Sequence, residues 1–151
     1  MTPILDTVKT FLETDEWSFF QIPDQPLLFV EFQGDNGQWK GLAQADDEHA
    51  QFVFYSISPV SAPEEQIGRV ADFLTRANFG MIIGNFEIDL EDGQIRFKTS
   101  IDVEGSQLDA AMVKRLVYTN VLTMDKYLPG INAVIQDDVR PDEAIAVIET
   151  S

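Results

Sequence analysis

Apolar and polar positions repeat with a period of two along some stretches of this chain and near 3.6 along others, so strands and helices are both predicted. Ile4, Leu5, Val8, Phe11 and Leu12 recur at helical spacing behind Thr2, a capping residue, and Pro3, a first-turn residue. A helix over 3–13 follows. Short strands are predicted next, over 17–22, 27–33, 39–45 and 51–58, punctuated by Pro23-Asp24-Gln25-Pro26, by Gly34-Asp35-Asn36-Gly37 and by the polar loop Asp46-Asp47-Glu48-His49. Setting Gly34 opposite Trp39 and Ala43 opposite Phe52 puts Leu28, Val30, Phe32 and Phe54 on one face with Gly41, Ala43 and Ala45. Large residues beside very small ones predict a helix lying close on that face.

The opposite face of the same strands collects Leu27, Phe29, Leu42, Val53, Tyr55 and Ile57. A sheet covered on one side only should be polar there. Contiguous apolar area on an exposed face marks a partner surface, and these six residues are the predicted interface.

Ser61 with Glu64 three residues on forms a capping-box pattern, and Ile67, Val70, Ala71, Phe73, Leu74 and Ala77 stripe a second helix that ends at Asn78-Phe79-Gly80. Residues 85–102 then read as a hairpin around Asp92-Gly93, a dipeptide suited to a type I′ turn. That turn sets Leu90 opposite Ile95, Asp89 opposite Arg96, Ile88 opposite Phe97 and Glu87 opposite Lys98. The first strand is predicted to begin near Met81, with Gly84 a bulge or a close backbone approach. Ser106 caps a long third helix, apolar on more than one side and so buried on more than one side, stopped near Leu128 by Pro129-Gly130. Residues 141–149 form a last amphipathic segment beyond a hinge at Asp137-Asp138-Val139-Arg140. One domain over 1–151, with a C-terminal helical tail at 137–151, is the expected organisation.

The chain has 151 residues, no cysteine, and 26 acidic against 10 basic side chains, a net charge of −16. Such a surface repels phosphate backbones and anionic lipid, so neither nucleic acid nor membrane is an expected partner. Without cysteine there are no disulfides, thiolate metal sites or thiol nucleophiles. No stretch approaches the roughly 18 apolar residues of a membrane helix, and the N-terminus lacks the basic region of a signal peptide. A cytoplasmic location is expected.

No segment of the sequence carries a catalytic pattern. His49, the only histidine, sits in a polar turn without a neighbouring nucleophile. The Asp46-Asp47-Glu48-His49 loop lacks the alternation and glycine of an EF-hand. Glu87 and Asp89 share a strand face, but Arg96 and Lys98 opposite would hold both ionised, which does not suit a general acid. Gly80-Met81-Ile82-Ile83-Gly84 has neither the lysine nor the context of a phosphate loop. No catalytic residue, metal ligand or cofactor is assigned.

Phe73-Leu74-Thr75-Arg76-Ala77-Asn78-Phe79-Gly80, Gly84-Asn85-Phe86-Glu87-Ile88-Asp89 and Asp92 through Ser100 resemble the YbjN family, as do Asn120-Val121-Leu122 and Tyr127-Leu128-Pro129-Gly130. The resemblance is carried mainly by residues 60–136. It implies a fold like that of type III secretion chaperones, in the order α-β-β-β-α-β-β-α, with no established enzyme activity and a tendency to dimerise. The strand at 17–22 and the tail after 140 depart from that order.

The resulting expectation is a two-layer α+β fold, a mainly antiparallel sheet with the first and third helices on one face. The expected function is a non-enzymatic, chaperone-like or regulatory protein-binding module acting as a homodimer. The competing reading is a small-ligand-binding protein or enzyme with a carboxylate pocket between the sheet and the third helix.

Overall fold

Strand alternation sends Leu28, Val30, Trp39, Ala43, Ala45, Phe52, Phe54, Ile95 and Phe97 to a single side, where all are buried. The computed structural model describes residues 1–150. Its elements are α1 (Pro3–Thr14), β1 (Phe19–Gln21), β2 (Leu27–Gln33), β3 (Gln38–Asp46), β4 (Gln51–Ile57), α2 (Ile67–Asn78), β5 (Asn85–Ile88), β6 (Ile95–Asp102), α3 (Ala110–Gln136) and α4 (Pro141–Glu149). The strands make one antiparallel sheet in the order β1-β2-β3-β4-β6-β5. The α1 helix lies over β3, α3 over β4 and β6, and α2 over β5, so the fold is a two-layer α+β arrangement with the helices on one face. The small residues Gly41, Ala43 and Ala45 lie in that covered layer, where a close helix was expected.

Every predicted hairpin register is off by two residues, and the residues that do lie in strands keep their predicted faces. Phe32 pairs with Trp39 and Ala43 with Phe54, not Gly34 with Trp39 and Ala43 with Phe52. In the last hairpin Glu87 pairs with Arg96 and Ile88 with Ile95, while Leu90 lies in the loop, exposed. A slip of two leaves each side chain on its own side of the pleat, whereas a slip of one would bury the polar set. Alternation therefore fixes parity, and the turn fixes register.

Both turns are shaped by what they dock against. Asp92 does not take a positive φ, so the type I′ form is not made; Gly93 alone does, at 78°. The loop closes through Asp89 N–H to Gln94 O at 2.9 Å and Gly93 N–H to Asp89 O at 2.8 Å. The segment leading into α2 presses on it: Ala62 N–H donates to Gly93 O at 2.9 Å, and a Cβ on Gly93 would meet Ala62 O at 2.0 Å.

The β2–β3 turn, Asp35-Asn36, docks on α3. The buried Asp125 carboxylate accepts Asp35 N–H at 3.1 Å and Asn36 N–H at 2.8 Å. A Cβ on Gly34 would lie 2.3 Å from that carboxylate, so only glycine permits the approach. This contact explains a second correction. Pro129-Gly130 does not end the helix, which runs on to Gln136. A proline inside a helix leaves the carbonyl four residues back without its donor, and that carbonyl belongs to Asp125. The Asn36 side-chain amide donates to it at 3.0 Å.

The caps differ from expectation too. Asp109, not Ser106, caps α3 by accepting Met112 N–H at 2.9 Å. Ser61 and Glu64 form no box; Glu64–Gln66 is a 3-10 turn and α2 begins at Ile67. Thr2 makes no cap bond, and the donors at the start of α1 go to Asp47 from the β3–β4 loop, with Ile4 N–H at 2.7 Å and Leu5 N–H at 3.3 Å. A cap drawn from 43 positions away is invisible to local pattern.

The C-terminal segment is packed. Ala144, Ile145 and Ile148 of α4 are buried against α2 and α3, and Tyr127 donates to Glu149 at 2.9 Å. The 137–140 connection is tied by Arg69, which pairs with Asp138 and donates to Val139 O at 2.8 Å. Ser151 lies outside the described residues.

Candidate functional site

The uncovered face of the sheet is built by the other half of each alternation. One cross-strand row reads Phe20, Phe29, Leu42, Tyr55, Lys98, Asn85, from β1 through to β5. The flanking row sets Leu27 and Val53 on either side of Gln44, and the row on the other flank sets Ile57 between Lys40 and Arg96. Leu27, Phe29, Leu42, Val53, Tyr55 and Ile57 thus form a contiguous patch, and each is half-buried by its neighbours, with no helix above it.

Two features of this patch went unread in the sequence. Phe20 extends it at the edge strand: it is 62 % exposed and stacks on Phe29 with ring centroids 5.6 Å apart. The available signal was its position in the aromatic run, in phase with Phe29. Arg96 lies 4.2 Å over the Tyr55 ring while its Nε donates to Glu87 at 2.7 Å. Lys98 donates to the other oxygen of Glu87 at 2.9 Å. Burial alone would raise the Glu87 pKa, but the hydrogen bonds from Lys98 and Arg96 outweigh it and hold the carboxyl below its ordinary value. Asp89, the predicted partner of Arg96, instead accepts Glu91 N–H in its own loop at 2.9 Å.

Charge is divided between the two sides. By register the open face carries Lys40, Arg96 and Lys98 with Glu31, Asp46, Glu87 and Asp102. It holds three of the ten cations and four of the 26 acids. Most of the negative charge lies on the helical side and in the loops.

Carboxylates that approach α3 already have donors. Asp125 holds the β2–β3 turn. Asp15 accepts Tyr118 O–H and Trp17 Nε1–H, and the first of these contributes most to lowering its pKa. In an exposed loop the His49 N–H donates to Asp46 at 3.0 Å and its ring pairs with the same carboxyl, which lowers the carboxyl pKa, while the side-chain contact raises that of the imidazole. Among the described residues no group of three or more His, Cys, Asp or Glu is placed to hold a metal ion. None of their helices is long and apolar enough to cross a membrane.

An antiparallel sheet with one face under helices and the other open defines a two-layer α+β protein. Residues 5–133 match the family YbjN, "Putative bacterial sensory transduction regulator", and the chain belongs to that family. Among solved structures it is similar to "Crystal structure of YbjN, a putative transcription regulator from E. coli", at 14 % identity and a TM-score of 0.64, over 83 % of this chain and 88 % of that one. It is also similar to "Structure of the HopA1-SchA Chaperone-Effector Complex", at 14 % identity and a TM-score of 0.48, over 79 % of this chain and 88 % of that one. No curated protein matches its sequence.

Proposed function

We propose that this chain is a non-enzymatic, chaperone-like or regulatory protein-binding module of the cytoplasm, working as a homodimer through the open face of its sheet. Residues 1–151 act as one unit in this reading, with the C-terminal helix part of the body. The observation that carries it is the contiguous patch around Phe29, Leu42 and Tyr55, extended by Phe20, on the face with least net charge. Packing two such faces about 10 Å apart removes apolar area from water at roughly 25 cal/mol per Å² before association costs. It also leaves both acidic helical layers outermost, separated by several times the Debye length of about 8 Å.

Regulation, as described for the family and its E. coli relative, would act here through protein contacts, because a net charge of −16 opposes a phosphate backbone. Replacing Phe29 and Tyr55 together by lysine tests the surface. The expected result is a fall from dimer to monomer mass in light scattering, lost partner capture and an unchanged circular dichroism spectrum. An unaltered mass together with unaltered capture removes this reading of the patch.

A further inference from the structure

One edge of the sheet is left half-paired. Strand β6 runs from Ile95 to Asp102, yet β5 covers only Ile95–Lys98. Val103 N–H bonds Ala50 O, so odd-numbered residues of β6 send their backbone groups toward β4 and even-numbered ones away from it. Arg96 and Lys98 meet β5. Ser100 and Asp102, the next two in phase, have no strand beyond them.

The chain could have continued β5 along this edge, and it turns off at Gly84 instead. Gly84 has φ +82°, and a Cβ there would lie 2.8 Å from Lys98 O. The departing loop packs Met81 against the core but leaves Phe79 90 % and Ile82 94 % exposed. Between the edge and α3 lies a groove of about 200 Å³ lined by Ile83, Ile101, Met112, Leu116, Thr119 and Arg115. It is on the helix side of the sheet, the side to which alternate residues of an added strand would point.

We infer that this edge and groove take an extended segment of a partner protein, added as a strand beside Ser100 and Asp102, with apolar residues alternating with lysine or arginine. Unpaired backbone groups at an edge supply register and affinity, and the groove supplies pockets for every second side chain. The intervening residues of such a strand face the other way, beside Asp102 on the open face, and Glu104 follows at the end of β6. Neither acid meets a cation within salt-bridge distance among the described residues. A chain of net charge −16 steers a basic segment toward itself. Arg115, the cation among the lining residues, sits on the helix side, where the apolar side chains enter.

This inference rests on the protein-binding reading but uses a different surface from the proposed dimer face, so the two fail separately. The test titrates fluorescein-labelled Lys-Val-Lys-Ile-Lys-Val-Lys into the full chain, followed by anisotropy and by amide exchange at Ser100 and Asp102. Expected are saturable binding, slowed exchange at both amides and weaker binding at higher salt. Ser100→Pro removes the outward N–H without touching the β4 ladder and should weaken binding at least about tenfold, whereas Ser100→Ala keeps it. Met112→Glu, on the helix beside the groove, gives the same loss if the proline variant is unstable. Absence of saturable binding up to about 1 mM overturns the inference. So does equal binding by folded Ser100→Pro or Met112→Glu, or equal binding of the glutamate counterpart peptide. Dimer mass unchanged in these variants leaves the open-face reading standing whatever the peptide does.

Discussion

Phe52, Phe54 and Ser56 on β4 are all but sealed from solvent, while Val53, Tyr55 and Ile57 on the same strand are half-buried with no helix above them. The two sets belong to one run of seven residues and differ only in phase. On the covered side the polar groups make directed hydrogen bonds: Ser56 accepts from Trp39 Nε1 at 3.0 Å, and the Asn120 amide nitrogen donates to Phe54 O at 2.8 Å and Phe97 O at 3.0 Å, while its Oδ1 is left without a partner. On the open side the polar groups are salt bridges and a cation over an aromatic ring, interactions that tolerate water. One face is closed by packing and directed hydrogen bonds; the other is left apolar with charges around it.

Substitution separates the two. Phe54→Ala should destabilise the fold by about 3–5 kcal/mol, because it removes a sealed aromatic ring and leaves a cavity under α3. Tyr55→Ala, one residue on, should cost under about 1 kcal/mol, since it removes a half-exposed ring and a cation contact that contributes only about 0.5–1 kcal/mol where water reaches it. Urea melts of the pair check this, and equal losses would erase the distinction between the faces. Asp125→Ala should cost about 2–3 kcal/mol by orphaning the Asp35 and Asn36 amides under the β2–β3 turn. Hydrogen exchange at those two amides should rise before the rest of the sheet responds.

Tyr127 adds a pH arm on the covered side. Burial and its hydrogen bond to Glu149 push its pKa up to about 12. The unfolded chain loses this proton near pH 10, the folded one near 12, so the folded state holds more protons in that window and stability falls as pH rises through it. The loss reaches at most about 3 kcal/mol, and Tyr127→Phe should flatten that part of the alkaline stability curve. The smallest effect belongs to the open face. Glu87 has a depressed pKa, so the stability it contributes is present above the ordinary glutamate value and is lost as pH falls through its folded one. Glu87→Gln should cost under about 1 kcal/mol at neutral pH and nothing in acid.

The hairpins show how far pattern reaches. Period-two alternation placed the residues of β2, β3 and β4 on their correct sides and set Leu27, Phe29, Leu42, Val53, Tyr55 and Ile57 on the open one. It could not choose between registers two residues apart, because those bury the same side chains. Asn36-Gly37 and Asp92-Gly93 look like hairpin turns from composition, but Asp125 and Ala62 decide the loops they form. Likewise Pro129 reads as a helix stop until Asn36 supplies the donor that proline lacks.

The order of the chain by itself determined which residues face inward, that the domain is acidic and cysteine-free, and that one side of the sheet stays apolar. These follow from side-chain periodicity and composition, which are local or additive. Tertiary structure alone decided register, the cap of α1, the passage of α3 through Pro129 and the unpaired stretch of β6. Each of these depends on where a free donor or acceptor finds its partner, and most of those partners come from segments distant in sequence.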